Sequence, residues 1–261
     1  MFRCLAILAL LLLAAPLRAQ PPVEVSDVLS VEVLPGWRQA DGRHLAGLRV
    51  HLKAGWKTYW RSAGAAGLAP QMDWRGSRGA ASVTPLWPTP TLFGPEGARS
   101  IGYTSDFVLP LDIAATSGPV ELRGVLDLGI CSDICLPARV TVRADLPSAG
   151  RRDPAIAAAL ADRPRRVRAP ARCTLSAGAD GLTLTGYLDV APQGRSEAVV
   201  FELPDPSVWI TEADVTRRGH SLEARAEVIG SGRVALSVDR SRLRITVIGE
   251  TGAVEILGCS G

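Results

Sequence analysis

Several residue types are scarce in this chain, and each scarcity removes a class of function. Lysine occurs only as Lys53 and Lys57, histidine only as His44, His51 and His220, and methionine only as Met1 and Met72. The histidines show no ligand spacing to one another or to a cysteine, and two thiolates alone do not complete a zinc site. No metal is therefore expected, and a methionine-rich copper site is excluded by the same counts. The remaining basic residues are arginines; with Arg3 and Arg18 set aside, 27 basic side chains face 26 acidic ones. That balance makes no electrostatic case for nucleic acid. No Ser–His–Asp or paired-carboxylate pattern stands out, and no cofactor is called for. After residue 19 no stretch is apolar enough to cross a membrane, so stable membrane insertion is not expected.

What is present begins with an export signal. Met1-Phe2-Arg3 is a short positive segment, Leu5 to Ala15 is an apolar run, and Pro16-Leu17-Arg18-Ala19 ends on a small residue. The run is shorter than the roughly 20 residues needed to span a bilayer, so residues 1–19 read as a signal peptide, with a mature chain starting at Gln20. Cys4 leaves with that peptide. The remainder, about 240 residues, suits two domains rather than one small sandwich.

Period-two patterning dominates the mature chain. Leu29, Val31 and Val33 begin one run and Leu48, Val50 and Leu52 another. Val120, Leu122, Gly124, Leu126 and Leu128 alternate cleanly, as do Val140, Val142, Ala144 and Leu146. Such runs with Gly and Pro punctuation are half-buried antiparallel strands, at a spacing that suits a sandwich. The pattern breaks at Asp153-Pro154 and the alanines that follow, where a capping Asp and a first-turn Pro predict a short helix. Arg163 to Pro170 reads as a solvated connector. A second strand-rich block follows, including Leu182–Thr185, Glu197–Phe201, Val208–Ile210, Ala224–Val228, Val234–Val238 and Leu243–Val247, with turns at 178–181 and 230–232. The expected fold is thus all-β, two tandem immunoglobulin-like sandwiches. Residues 20–150 form the first, 151–170 the helix and linker, and 171–261 the second.

Four cysteines remain after processing: Cys131, Cys135, Cys173 and Cys259. An even count in an exported chain implies two disulfides, with three pairings open. Cys131-Ser132-Asp133-Ile134-Cys135 joins two alternating strands by three residues, a normal hairpin length that brings the two thiols together. Joining Cys173 to Cys259 closes a loop of about 87 residues, worth roughly 4–5 kcal/mol in the chain-entropy model, against about 2 kcal/mol for the five-residue loop. Cys173–Cys259 is the natural staple of the second domain. Cys131–Cys135 has less structural purpose and more freedom to cycle. Its spacing is one residue longer than that of a thioredoxin C-x-x-C, and it opens no helix.

Gly55-Trp56-Lys57-Thr58-Tyr59-Trp60-Arg61, Asp73-Trp74, Leu86-Trp87-Pro88-Thr89-Pro90, Ile101-Gly102-Tyr103, Val108-Leu109-Pro110-Leu111 and Cys131-Ser132-Asp133-Ile134-Cys135-Leu136-Pro137 occur in order. Together they resemble the periplasmic N-terminal domain of the DsbD/ScsB protein-disulfide reductases of Gram-negative bacteria, over roughly residues 25–147. The second block is similar to the additional β domain of longer ScsB-like members. The resemblance implies an immunoglobulin-like sandwich with a redox-active pair at Cys131 and Cys135, the latter being the sulfur that bonds the partner. It places Tyr59 and Trp60 in the segment that packs beside the pair, as site-shaping residues or as core aromatics, and Phe93 where family members have a loop capping the cysteines, as a lid or in an ordinary packed turn. It also implies partners: thioredoxin-fold or other periplasmic redox proteins that receive reducing equivalents. A membrane domain supplies those equivalents in the family. This chain has neither that domain nor a C-terminal thioredoxin-like one, so a separate membrane electron donor is expected.

The sequence therefore points to a periplasmic thiol–disulfide oxidoreductase, resembling protein-disulfide reductases, that acts through Cys131 and Cys135. The rival reading is a non-catalytic periplasmic binding or scaffold protein with two static disulfides.

Overall fold

The computed structural model describes residues 23–116, 118–178, 181–205, 207–230 and 238–261. The expected signal peptide lies outside them, as do the centre of the 178–181 turn, residues 231–232 and most of the Val234–Val238 run.

In the first domain the strands are β1 (Leu29–Arg38), β2 (His44–Leu52), β3 (Lys57–Gly64), β4 (Gln71–Asp73), β5 (Ala80–Pro85), β6 (Thr91–Phe93), β7 (Ser100–Tyr103), β8 (Phe107–Ala115), β9 (Val120–Cys131) and β10 (Cys135–Leu146). One sheet runs β1-β2-β8-β5. The facing sheet runs β10-β9-β3-β7-β6, with β4 on β9. The alternation read from the sequence sends Leu48, Val50, Leu109 and Leu111 from one sheet, and Leu122, Leu126 and Val142 from the other, into a common core. This is the two-layer arrangement in which each sheet buries one face.

Helix α1 (Pro154–Ala161) follows. The Asp153 carboxylate accepts from the backbone N–H groups of Ala155 and Ile156, at 2.8 and 3.2 Å, and Pro154 occupies the first turn. Ile156 is fully buried. A Cβ on Gly47 would lie 2.9 Å from Ile156 Cγ1, so the glycine in β2 makes room for the helix.

The second domain contains β11 (Arg165–Arg166), β12 (Ala171–Ala177), β13 (Leu182–Asp189), β14 (Ala198–Glu202), β15 (Val208–Ile210), β16 (Asp214–Arg218), β17 (Ser221–Gly230), β18 (Arg244–Gly249) and β19 (Gly252–Leu257). Its sheets run β11-β19-β18-β14 and β12-β13-β17-β15, with β16 on β17. Leu184, Leu222, Val228, Ile245 and Val247 are among the residues that fill the space between them. Part of the expected connector is ordered sheet: Arg165 and Arg166 pair in parallel with Val254 and Glu255. Backbone pairing is indifferent to the charge of the side chains, so a basic run in the sequence does not exclude it.

The two sandwiches meet at a compact apolar contact. Trp60, Ile101 and Tyr103 of the first domain pack with Val200, Ile248 and Ala253 of the second. Arg61 flanks this contact. Its Nε donates to Glu202 Oε1 at 2.9 Å, and its Nη2 donates to Glu202 Oε2 at 2.9 Å and to Glu255 Oε2 at 3.2 Å. The guanidinium carbon stands 3.7 Å from the centre of the Trp60 ring.

Candidate functional site

Strands β9 and β10 form one long antiparallel hairpin whose register ends on Cys131 opposite Cys135. The three-residue turn is closed by Ser132, whose N–H donates to Ile134 O at 2.9 Å. The cysteines are bonded to each other, with Cα atoms 4.1 Å apart.

The two sulfurs occupy unlike surroundings. Cys131 is 2% exposed, whereas Cys135 is exposed at the mouth of the hairpin. Strand β3 lies on the other side of β9, with Lys57 opposite Cys131 and Thr58 opposite Ile130. Side chains alternate along a strand, so Lys57 and Tyr59 share the face of Cys131 while Thr58 and Trp60 take the other. The Tyr59 hydroxyl lies 2.9 Å from Cys131 Sγ. A disulfide sulfur carries no proton, so the hydroxyl donates. Burial pushes the Tyr59 phenol above its ordinary pKa of 10.0, which keeps it a donor at physiological pH. Gly129 in β9 permits this approach, since a Cβ there would stand 3.0 Å from the Tyr59 ring and from Leu68 Cβ.

Phe93 approaches the Cys131 side of the pair from the far edge of the same sheet. It packs against the cluster of Tyr59, Ala63 and Cys131, with its ring centroid 6.3 Å from that of Tyr59. The expected capping loop is here a short edge strand: Thr91, Leu92 and Phe93 pair with Gly102, Ile101 and Ser100. Backbone pairing to β7 fixes Phe93 more firmly than a free turn would, and Gly94, at φ 91°, begins the reversal just after it.

Trp60 is elsewhere. It is fully buried against the second domain and does not line the cysteines, because strand alternation turns it away from Tyr59. Cys173 and Cys259 are bonded across the second domain, with Cα atoms 5.7 Å apart. Cys173 is fully buried in that domain's core. Lys57 was not singled out by sequence reasoning, although its place two residues before Tyr59, on the same face of a period-two strand, was the available signal. Its Nζ stands 5.0 Å from the Phe93 ring centroid. Arg61 was missed as well, because nothing local in the sequence names its partners about 140 and 190 residues away.

Among the described residues no group of three or more His, Cys, Asp or Glu is placed to hold a metal, and no helix is long and apolar enough to cross a membrane.

No curated protein matches this chain significantly. The solved N-terminal periplasmic domain of ScsB from Proteus mirabilis is similar in structure, with a TM-score of 0.68 and 22% identity over 92% of this chain and 96% of that one. The likeness extends through both sandwiches and concerns the fold. The family model described as thiol:disulfide interchange protein DsbD, N-terminal, matches residues 26–147. That span runs from just before β1 to the end of β10 and includes both cysteines of the hairpin. On the match and the fold together, residues 26–147 belong to the DsbD N-terminal domain family.

Proposed function

We propose that this chain is a periplasmic thiol–disulfide exchange protein that relays reducing equivalents to partner proteins through Cys131 and Cys135. The observation that carries the reading is the asymmetry of the pair: an exposed Cys135, open to another protein, and a buried Cys131 with a hydroxyl donor 2.9 Å away. The names of the matching family, an interchange protein, and of the similar structure, a periplasmic domain, support the chemistry and the compartment.

The exchange has two steps in each direction. In the reduced chain the Cys135 thiolate attacks a partner disulfide. A mixed disulfide forms and one partner sulfur leaves as a thiolate. Cys131 then attacks Cys135 Sγ, the second partner sulfur leaves, and the Cys131–Cys135 bond closes. The partner gains two electrons and two protons. A separate dithiol protein, associated with the membrane, restores the pair by the reverse sequence: its thiolate attacks Cys135, Cys131 leaves with the bonding electrons, and the donor ends as a disulfide. Tyr59 O–H donates to Cys131 Sγ as negative charge develops there.

Redox titration followed by thiol trapping and mass mapping tests the proposal. Cys131–Cys135 should open well above the roughly −300 mV below which structural disulfides resist reduction, and before Cys173–Cys259. Cys131→Ser should accumulate a mixed disulfide through Cys135 with a thioredoxin-fold partner, and Cys135→Ser should accumulate less. If both bonds open together and neither variant traps a partner, the chain is a scaffold with two static bonds.

A further inference from the structure

A cleft runs between the two sandwiches, lined by residues 61–65 of the first and by residues 198–203 and 208–212 of the second. Side chains alternate along a strand, so a cavity against a strand face would touch every second residue. This cleft meets consecutive residues and therefore follows strand edges. One of them is β14, which pairs with β18 on one side and, among the described residues, with no strand on the other. A free strand edge presents unpaired backbone N–H and C=O groups. Residues 198–203 extend over roughly 17 Å at the usual rise, the length of a short strand.

The first domain lines the cleft with small residues, Ala63, Gly64, Ala65, Gly67 and Ala69. A Cβ on Gly67 would run into Ala63 O, so the glycine lets its segment lie flat against β3. Trp209 lines the cleft yet is 59% exposed. The charged groups of the rim already have partners. Arg61 pairs with Glu202, Arg99 Nη1 donates to Glu197 O at 2.8 Å, and Glu212 Oε2 accepts from the Arg99 backbone N–H at 3.1 Å. The space thus suits backbone and apolar side chains rather than charge. It is also continuous with the redox pair. Ala63 and Ala69 pack with Tyr59 and Cys131, and the exposed Leu68 lies beside Gly129, two residues before Cys131 in β9.

We propose that the cleft is a strand-docking groove, in which an extended, unfolded segment of the exchange partner adds to the free edge of β14 and packs an apolar side chain on Trp209. The inference deepens the exchange reading above by naming the chemistry of the partner: a chain with an unfolded apolar segment, held so that its disulfide lies near Cys135. Backbone hydrogen bonds to a sheet edge give affinity with little dependence on sequence, and a pocket beside the edge selects the side chain. The second sandwich thereby takes part in substrate choice.

The test uses the full mature chain. The probe is fluorescein-labelled α-lactalbumin, reduced and carboxymethylated, an unfolded chain with neither thiols nor disulfides. Anisotropy should report binding, and hydrogen exchange should show the β14 amides protected in the complex. Trp209→Ala should weaken binding at least about tenfold. So should Ala65→Arg, which sets a long side chain at an exposed position of the wall. Native α-lactalbumin should not compete. No binding overturns the proposal, and so does binding that leaves β14 unprotected or that neither variant weakens. A chain that sediments as a dimer, dissolved by Trp209→Ala, overturns it too, because the occupant is then a second copy. A rate comparison ties the groove to exchange. The reduced chain's preference for scrambled ribonuclease over glutathione disulfide should fall about tenfold in both variants, and an unchanged preference contradicts the link. Failure to reduce either substrate counts against the exchange reading, while the groove is still decided by the binding data.

Discussion

The hydroxyl of Tyr59 lies 2.9 Å from the sulfur of Cys131, across two hydrogen-bonded strands. The contact depends on three sequence choices at once: a tyrosine two residues after Lys57, a glycine at 129 to accept its ring, and a cysteine at the end of β9. It also places a donor against the buried sulfur rather than the exposed one. Removing it should slow the opening of the bond without unfolding the domain. A hydrogen bond to a charged group contributes about 1.5–3 kcal/mol, so Tyr59→Phe should reduce the rate of reduction by dithiothreitol at least about tenfold. Stopped-flow reduction followed by alkylation measures this, and an unchanged rate would show that the hydroxyl plays no part in the step.

The two disulfides should differ in what they contribute to stability. Cys173, in the second domain's core, and Cys259, packed against it, are 86 residues apart in sequence, whereas Cys131 and Cys135 are 4 apart. Replacing the first couple by alanine should cost about 2–5 kcal/mol, and replacing the second couple clearly less. Denaturant melts of the two double variants make the comparison, with equal losses as the contrary outcome.

Arg61 should be the electrostatic lock between the sandwiches. Its guanidinium is mostly buried and holds Glu202 and Glu255 together. Removing it strands the Glu202 carboxylate, while Glu255 keeps Arg166 and Arg244; the usual cost of about 3–5 kcal/mol for a broken buried pair is reduced here to roughly 2–3 by residual exposure. Arg61→Ala should therefore split a shared unfolding transition into two. Calorimetry that still shows a single transition at the original temperature would contradict the assignment.

The first domain should weaken in mild acid. His44 is fully buried, with its Nε2 2.7 Å from Pro35 O, and burial holds its pKa below the ordinary 6.5. The unfolded chain therefore binds a proton more readily than the folded one, and stability is complete above pH 6.5. It falls as the pH drops below that value towards the depressed folded pKa. Urea midpoints between neutral pH and pH 5 should decline in the parent chain and decline less in His44→Gln. Parallel slopes would place the acid sensitivity elsewhere.

Much of this architecture was legible in advance because it rests on local regularities. The alternation from Val120 to Leu128 and from Val140 to Leu146 marks the two arms of one hairpin, and the C-x-x-x-C spacing fits the turn between them. Asp153 and Pro154 mark the start of the helix in the same way. What resisted reading was any property shared between distant segments. Alternation says that Tyr59 and Trp60 face opposite ways, but it does not say which of them meets the cysteines. That is decided by the pairing of Lys57 with Cys131, a contact between strands far apart in the chain. The parallel pairing of Arg165 and Arg166 with β19 is equally silent in sequence, since it depends on backbone groups and not on side chains.

The apolar seam between the sandwiches imposes an order on synthesis. Trp60, Ile101 and Tyr103 are synthesised with the first sandwich, while Val200, Ile248 and Ala253, which cover them, follow only with the second. Until then the first sandwich, folded on its own, carries a bare aromatic patch of the sort that promotes self-association. The second sandwich thus serves as a late-arriving shield. A fragment ending after α1 should be prone to clump, and one carrying a polar residue at position 60 should stay dispersed.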